Sequence, residues 1–226
     1  MFLRRENKMK AFASWSGGKE SAMAFYYARV IENLKVQFLL NMLTEDGIRS
    51  RSHGISAKLL RIQAEAIGVS LIQRKTSWKT YEEEFKTAVF EMKPKGIKVG
   101  VFGDIDLQEH RDWVERVCKE VNVKPILPLW EKGREELLIE FIQLGFQAIV
   151  VATEAELLGE EWLGRIIDHN FIKDLKAREN IDLCGERGEY HTFVYGGPIF
   201  QKPVKFIFGK KIRKEKHWFL ELKPFL

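Results

Sequence analysis

Cysteine is nearly absent from this 226-residue chain: Cys118 and Cys184 stand alone, with no CxxC spacing. That excludes a disulfide framework and argues against a structural zinc site. Long apolar runs are missing too. No window approaches the roughly 20 apolar residues that a membrane span requires, so no membrane partner is expected. The opening MFLRRENK is charged and has no apolar core, so it does not read as a secretory signal. Met9 directly precedes the first strand-like run, and residues 1–8 therefore read as a flexible extension or a miscalled start. There is no internal repeat and no low-complexity tract. Together these absences make the cytoplasm the default compartment.

What is present fits a globular protein, with 45% hydrophobic and 31% charged residues. A chain of this size buries about 70% of the surface its unfolded form exposes, so its core needs no covalent staple. The formal net charge is +5, and the excess sits late. From Lys202 to Leu226 there are eight Lys or Arg against two Glu. That cluster reads either as a solvated surface or as a docking face for an acidic or nucleic-acid-bearing partner.

Short apolar runs alternate with helix-period segments. Strands are predicted over 10–16, 36–44, 69–75, 97–102, 124–128 and 147–152. Helices are predicted over 20–34, 56–67, 80–92, 107–121 and 135–144, with Ser56 placed to cap one and Gly68 to end it. The alternation implies an α/β fold, Rossmann-like, with a mostly parallel sheet and helices on both faces. Ligands of such sheets bind beyond the carboxyl ends of the strands. That points to residues 16–19, 44–53, 76–78, 103–106 and 153–156. After about residue 153 the rhythm breaks. A helix over 168–180, a Gly-rich aromatic block over 184–200 and a hairpin of 204–212 with 216–222 suggest a small C-terminal α+β subdomain. The expected division is 9–153 and 154–226.

The segment SGGKES, Ser16 to Ser21, lies between the first strand and the first helix. Two glycines let the backbone turn sharply and approach a ligand closely. The helix N-terminus adds free N–H groups and a positive dipole end, Lys19 a point charge, and Ser16 and Ser21 hydroxyls. Together these make a cradle for phosphate. A Walker loop would need Gly where Ala13 stands and Ser or Thr where Glu20 stands. The segment resembles instead the PP-loop, SGGxDS, of the ATP pyrophosphatase superfamily, with Glu20 in place of Asp. The resemblance implies an adenine-nucleotide-hydrolase-like domain that cleaves ATP between the α- and β-phosphates, transfers AMP and releases pyrophosphate, with Mg2+ shielding the phosphates.

Further blocks narrow the superfamily: NMLT (Asn41 to Thr44), RSHG (Arg51 to Gly54), Gly103-Asp104-Ile105 with His110-Arg111, and Pro128-Leu129-Trp130. GEEWLGR (Gly159 to Arg165) and CGERGEYHTFVYGGPIF (Cys184 to Phe200) follow. Over nearly all of 9–200 the chain resembles the diphthine–ammonia ligase family in its compact archaeal-type form, without the extra C-terminal domains of eukaryotic relatives. The resemblance implies that diphthine on elongation factor 2, ATP and ammonium give diphthamide, AMP and pyrophosphate through an acyl-adenylate. Nothing resembles a glutaminase, which fits free ammonium. Nucleic acid is not an expected partner, and a homo-oligomer is left open.

By the same resemblance ATP would be held by Ser16, Gly17, Gly18, Lys19, Glu20, Ser21, Leu43, Thr44, Gly103 and Asp104, with Asp104 also on Mg2+. Lys19, Glu186 and Glu189 would carry catalysis. His53, Trp162, Arg165, Arg187, Tyr190 and His191 would bind the acceptor. Its trimethylammonium group suits an aromatic cage, for which Trp162, Tyr190, Phe193 and Tyr195 are candidates, though all four suit a core equally. His110 and Arg111 read as packing or capping residues as readily as functional ones, and both cysteines read as inert. Two alternatives stay open: a PP-loop tRNA-modifying adenylase, supported by the basic tail, and an ATP- or AMP-binding protein without chemistry.

Overall fold

A computed structural model describes residues 8–225. The expected N-terminal extension falls almost wholly outside the described residues. Five parallel strands form the first sheet: β1 (Lys10–Ser14), β2 (Lys35–Leu43), β3 (Ser70–Lys75), β4 (Ile97–Val101) and β5 (Lys124–Ile126), in the order β3-β2-β1-β4-β5. Four helices connect them: α1 (Lys19–Val30), α2 (Ala57–Ile67), α3 (Tyr81–Met92) and α4 (Gln108–Glu120). The alternation of β1 explains the layers. Ala11 and Ala13 pack with α1 and α2, whereas Phe12 points the other way into the core of α3 and α4. Small residues on one side admit close helices, and the fully buried Phe12 ring fills the other, edge-on to Phe85 and Phe102. The expected caps form: Ser56 accepts from Leu59 N–H, and Gly68 ends α2 in the left-handed region.

The second sheet is antiparallel, in the order β7-β6-β9-β8, from β6 (Gln147–Glu154), β7 (Tyr190–Gly196), β8 (Phe206–Lys214) and β9 (His217–Pro224). Two helices, α5 (Arg134–Gln143) and α6 (His169–Lys176), accompany it. This corrects one expectation. The alternation places 147–152 in the parallel sheet, but β6 pairs antiparallel with β7 and β9. Its apolar run is buried on both faces, a pattern that a central strand of either sheet type shows.

Strand order reverses between β1 and β4, so connections leave in opposite directions and open a crevice at their carboxyl ends. The second sheet closes one side of it. Val194 N–H of β7 donates to the carbonyl of Gly17 at 3.0 Å. Lys19 N–H donates to Thr192 Oγ1 at 3.1 Å. The second sheet therefore braces the loop after β1.

Candidate active site

The loop after β1 holds its shape through backbone and buried polar groups. Gly17 has φ of +84°, and a Cβ there would stand 2.5 Å from Leu60 Cδ2. Its carbonyl accepts from Gln63 Nε2 at 3.1 Å. The fully buried Gln63 also donates to Val194 O at 2.6 Å and accepts from Trp15 Nε1 at 2.8 Å. A Cβ on Gly18 would fall 2.6 Å from His53 Nε2. Ser16 Oγ accepts from Gly18 N–H and donates to Ser21 Oγ, each at 3.2 Å. The amides of Glu20 and Ser21, in the first turn of α1, have no acceptor within the helix.

Lys19 is buried at the centre. Its Nζ donates to Cys184 O at 2.6 Å, lies 2.6 Å from Glu20 Oε1, and sits 4.4 Å from the centre of the Tyr190 ring. Burial by itself would lower its pKa, but Glu20, Tyr190 and Cys184 outweigh it, and the net shift is upward. The ammonium stays charged. Tyr190 OH donates to Leu183 O at 2.5 Å, so this ring is fixed beneath the lysine.

Opposite lies the loop from 182 to 189. Arg134 ties it to the first sheet, binding Asp106 through Nε (2.9 Å) and a terminal nitrogen (2.7 Å) while pairing with buried Asp182. Asp182 accepts from Cys184 N–H at 2.6 Å. Glu186 emerges from this loop into the cleft. Burial, then the negative charges of Glu20, Asp104 and Asp106, raise its pKa from 4.5 to about 7, against the pull of Lys19. His53 and His191 lie side by side, 4.5 Å between ring centres. Burial, aided by Lys19, lowers both: His191 to about 4, and His53 well below its ordinary value with His191 adding to the effect. Both imidazoles are neutral near pH 7.

These groups share a cleft of about 660 Å³ over the ends of β1, β2 and β4. It combines a cationic cradle, a carboxyl poised near neutrality and neutral imidazoles. Such a site can bind a polyphosphate, stabilise its leaving part and move a proton.

The description "Diphthamide synthase N-terminal domain" matches residues 9–125, and "Diphthamide synthase C-terminal domain" matches 133–224. The chain belongs to the diphthamide synthase family. Curated relatives named diphthine–ammonia ligase include that of Bos taurus, 36% identical over 49% of this chain and 41% of the relative, and that of Homo sapiens, 35% identical with the same coverage. That of Schizosaccharomyces pombe is 26% identical over 87% of this chain and 36% of the relative. The chain thus spans only about two fifths of these relatives' length. A solved structure described as a predicted subunit of tRNA methyltransferase from Methanocaldococcus jannaschii is 16% identical with a TM-score of 0.44, covering 87% of this chain and 100% of that one. At that score it adds nothing to the reading of the site.

Within this family fold, the cleft brings together Ser16, Lys19, Glu20, Ser21, His53, Gly103, Asp104, Glu186, Tyr190 and His191. Gly17 and Gly18 shape the loop behind them. Gly103 packs so closely on α1 that a Cβ would stand 2.9 Å from the Glu20 carbonyl carbon. Asp104 meets His110 Nδ1 at 3.1 Å, which raises the imidazole's pKa.

Eight expected residues lie elsewhere. Leu43 is buried at the end of β2, and Thr44 belongs to a turn, bonded to Asp46 and Arg49; Leu40, Asn41 and Met42 line the cleft in their place. Glu189 is buried and accepts from the backbone N–H groups of Asp182 (2.9 Å) and Arg187 (3.1 Å), so it shapes the loop from within. The Arg187 side chain is exposed and outside the cleft lining. Trp162 is core, edge-on to Phe171. Arg165 stacks 4.3 Å from that indole and pairs with Asp174 at 2.6 Å. Phe193 is also core, and Tyr195 packs edge-on against Phe206.

Sequence reasoning missed Gln63, Tyr81 and Trp113, and it gave no individual role to Asn41, Arg51 and Trp78, which fall within the quoted blocks and strand-end segments. Asn41 bonds Trp15 O at 2.8 Å and Ser50 Oγ at 3.2 Å, joining two strand ends. A polar residue within an apolar strand, and Gln63 on the apolar face of α2, were the available signals. Trp78 lies in a strand-end segment, but Trp113 gave no signal, because it meets Tyr81 only through the fold.

Proposed function

We propose that this chain joins ammonium to diphthine on elongation factor 2, using ATP and giving diphthamide, AMP and pyrophosphate through an acyl-adenylate. The observation that carries this reading is the meeting in one cleft of the SGGKES cradle and Glu186. Lys19 and the first-turn amides of α1 would stabilise charge on the departing pyrophosphate. Glu186 would hold ammonium when ionised and accept a proton as nitrogen attacks the activated carboxyl. Neutral His53 and His191 add lone pairs without adding cationic charge beside Lys19. We place the division between nucleotide and acceptor functions ahead of β6, between the two matched family segments, rather than after residue 153.

Magnesium fits this reading as a companion of the phosphates. Among the described residues no three His, Cys, Asp or Glu gather as a ready metal centre. Mg2+ however commonly takes one or two carboxylates with phosphate oxygens and water. After burial, the charges of Glu20, Asp104 and Asp106 raise the Glu186 pKa, and Asp104 and Glu20 line the cleft where such an ion would be welcome. Bound there, the ion would neutralise phosphate charge. Among the described residues no helix is long and apolar enough to cross a membrane.

The test supplies ATP, magnesium and ammonium with diphthine-bearing elongation factor 2, with tRNA, or with no acceptor. AMP, pyrophosphate and a new amide on the factor are expected. ADP as the main nucleotide product sinks the assignment. Product on tRNA favours the adenylase alternative, and nucleotide binding without turnover on any acceptor favours the non-catalytic one.

A further inference from the structure

Three aromatic side chains outside the motif blocks meet along the cleft. Trp78 follows β3, Tyr81 opens α3 and Trp113 lies on α4. Trp78 and Tyr81 stack with ring centres 6.1 Å apart at 29°, and Tyr81 and Trp113 are 5.7 Å apart at 58°. Trp113 is anchored, packing on Phe85 at 5.2 Å and donating Nε1–H to Glu82 Oε2 at 3.0 Å. Trp78 is different. It is 75% exposed, so core packing does not account for it. The Arg51 guanidinium lies 4.8 Å from its ring centre while bonding Thr76 O. One face of this indole thus already holds a cation, and most of the remaining ring surface is open.

The Asp104 carboxylate lines the same cleft, near enough that it adds to burial in raising the Tyr81 pKa to about 12. Aromatic faces beside a carboxylate favour a cation. Exposed ring surface suits a cation that donates no hydrogen bonds, and a quaternary ammonium is such a cation.

We propose that Trp78, with Tyr81 and Trp113, receives a quaternary ammonium group of the acceptor. The proposal rests on the acceptor being diphthine, whose side chain carries a trimethylammonium beside the carboxylate to be amidated. The purine ring of ATP, another flat partner for indoles, is the competing occupant.

The experiment uses the full chain with Trp78→Ala and Trp78→Phe, whose folding is checked by thermal melting. KM is measured for diphthine-bearing elongation factor 2 and for the same factor lacking the N-methyl groups, and the Kd of ATP is measured separately. Trp78→Ala should raise KM for the methylated acceptor about fivefold or more, leaving the unmethylated acceptor and ATP within about twofold, while Trp78→Phe keeps most of the discrimination. A weakened ATP Kd assigns the wall to the purine and overturns the proposal. Equal losses on both acceptors, or no loss, overturn it as well. If wild type amidates no acceptor, the proposed reaction fails separately. Titration with tetramethylammonium, read by tryptophan fluorescence, then decides the site: saturable quenching abolished by Trp78→Ala supports it, and an unchanged signal overturns it.

Discussion

The two walls of the cleft hold charge by different means. On one side, residues 16–21 use backbone: two glycines, a helix N-terminus and a lysine fixed by a carbonyl and an aromatic ring. On the other, residues 182–191 use side chains, and neighbouring carboxyls do opposite work. Glu189 is spent on two backbone amides inside the loop, whereas Glu186 stands in the cleft with its pKa near 7. A cradle made of backbone is rigid and stays charged at every working pH. A wall made of titratable side chains is adjustable. The first suits binding and leaving-group stabilisation, and the second suits proton movement.

The sharpest break in this comparison is Lys19→Ala. It removes the buried cation and leaves Glu20 and the Cys184 carbonyl without their partner. A charge-assisted contact is worth about 1.5–3 kcal/mol, so pyrophosphate release should fall about tenfold or more. Unchanged release would remove the loop from the mechanism.

Glu186→Gln acts on the other wall. Amidation should slow severely while first-turnover pyrophosphate formation persists. In wild type the amidation rate should rise with pH through about 7, and the variant should lose that limb. Stability follows the same group. Its folded pKa lies above the ordinary 4.5, so its contribution is full below that value and lost as pH rises through about 7. Melting curves across that window should decline less in Glu186→Gln. If adenylation and amidation fall together, Glu186 serves ATP or magnesium instead.

Glu189→Gln should do the reverse. It replaces one of two acceptor oxygens facing buried amides with a donor, at a cost of about 1–3 kcal/mol. A lowered melting temperature with a modest, uniform loss of both half-reactions is expected. A selective loss of amidation at unchanged stability would return Glu189 to the chemistry.

The smallest effect concerns the basic hairpin of β8 and β9. Lys211 is already committed to Glu160 O at 2.7 Å. Reversing Lys210, Arg213 and Lys214 to Glu should therefore test docking with less disturbance to the fold. If the hairpin steers elongation factor 2, association should slow about tenfold at low salt, with the difference fading as salt rises. An identical salt response leaves the hairpin an ordinary solvated surface.

How much was legible follows from how local each feature is. The strand–loop–helix from Lys10 to Val30 reads directly, because alternation, paired glycines and a cationic first turn are neighbours in sequence. Most of the parallel sheet follows from repetition of that unit. Strand β6 misleads because burial on both faces carries no sign of direction. Leu43 and Thr44 fall just past the cleft, since β2 reaches it with Leu40 to Met42. Glu186 and Glu189 are indistinguishable by spacing, because only the turn of the loop decides which carboxyl points inward. Trp78 and Tyr81 are near in sequence, but Trp113 joins them only once α3 and α4 are packed.

The bond from Lys19 N–H to Thr192 Oγ1 spans 173 residues, and Val194 N–H reaches back in the same way to Gly17 O. During synthesis the nucleotide loop leaves the ribosome long before the strand that braces it. The loop therefore waits, unfinished, through the making of nearly the whole chain. Contacts so distant in sequence also slow folding. A nascent chain cut short before β7 would carry every residue of SGGKES and lack the Thr192 hydroxyl and the Val194 amide that bond the loop. On the proposed function, competence to bind ATP would then depend on completion of the second sheet.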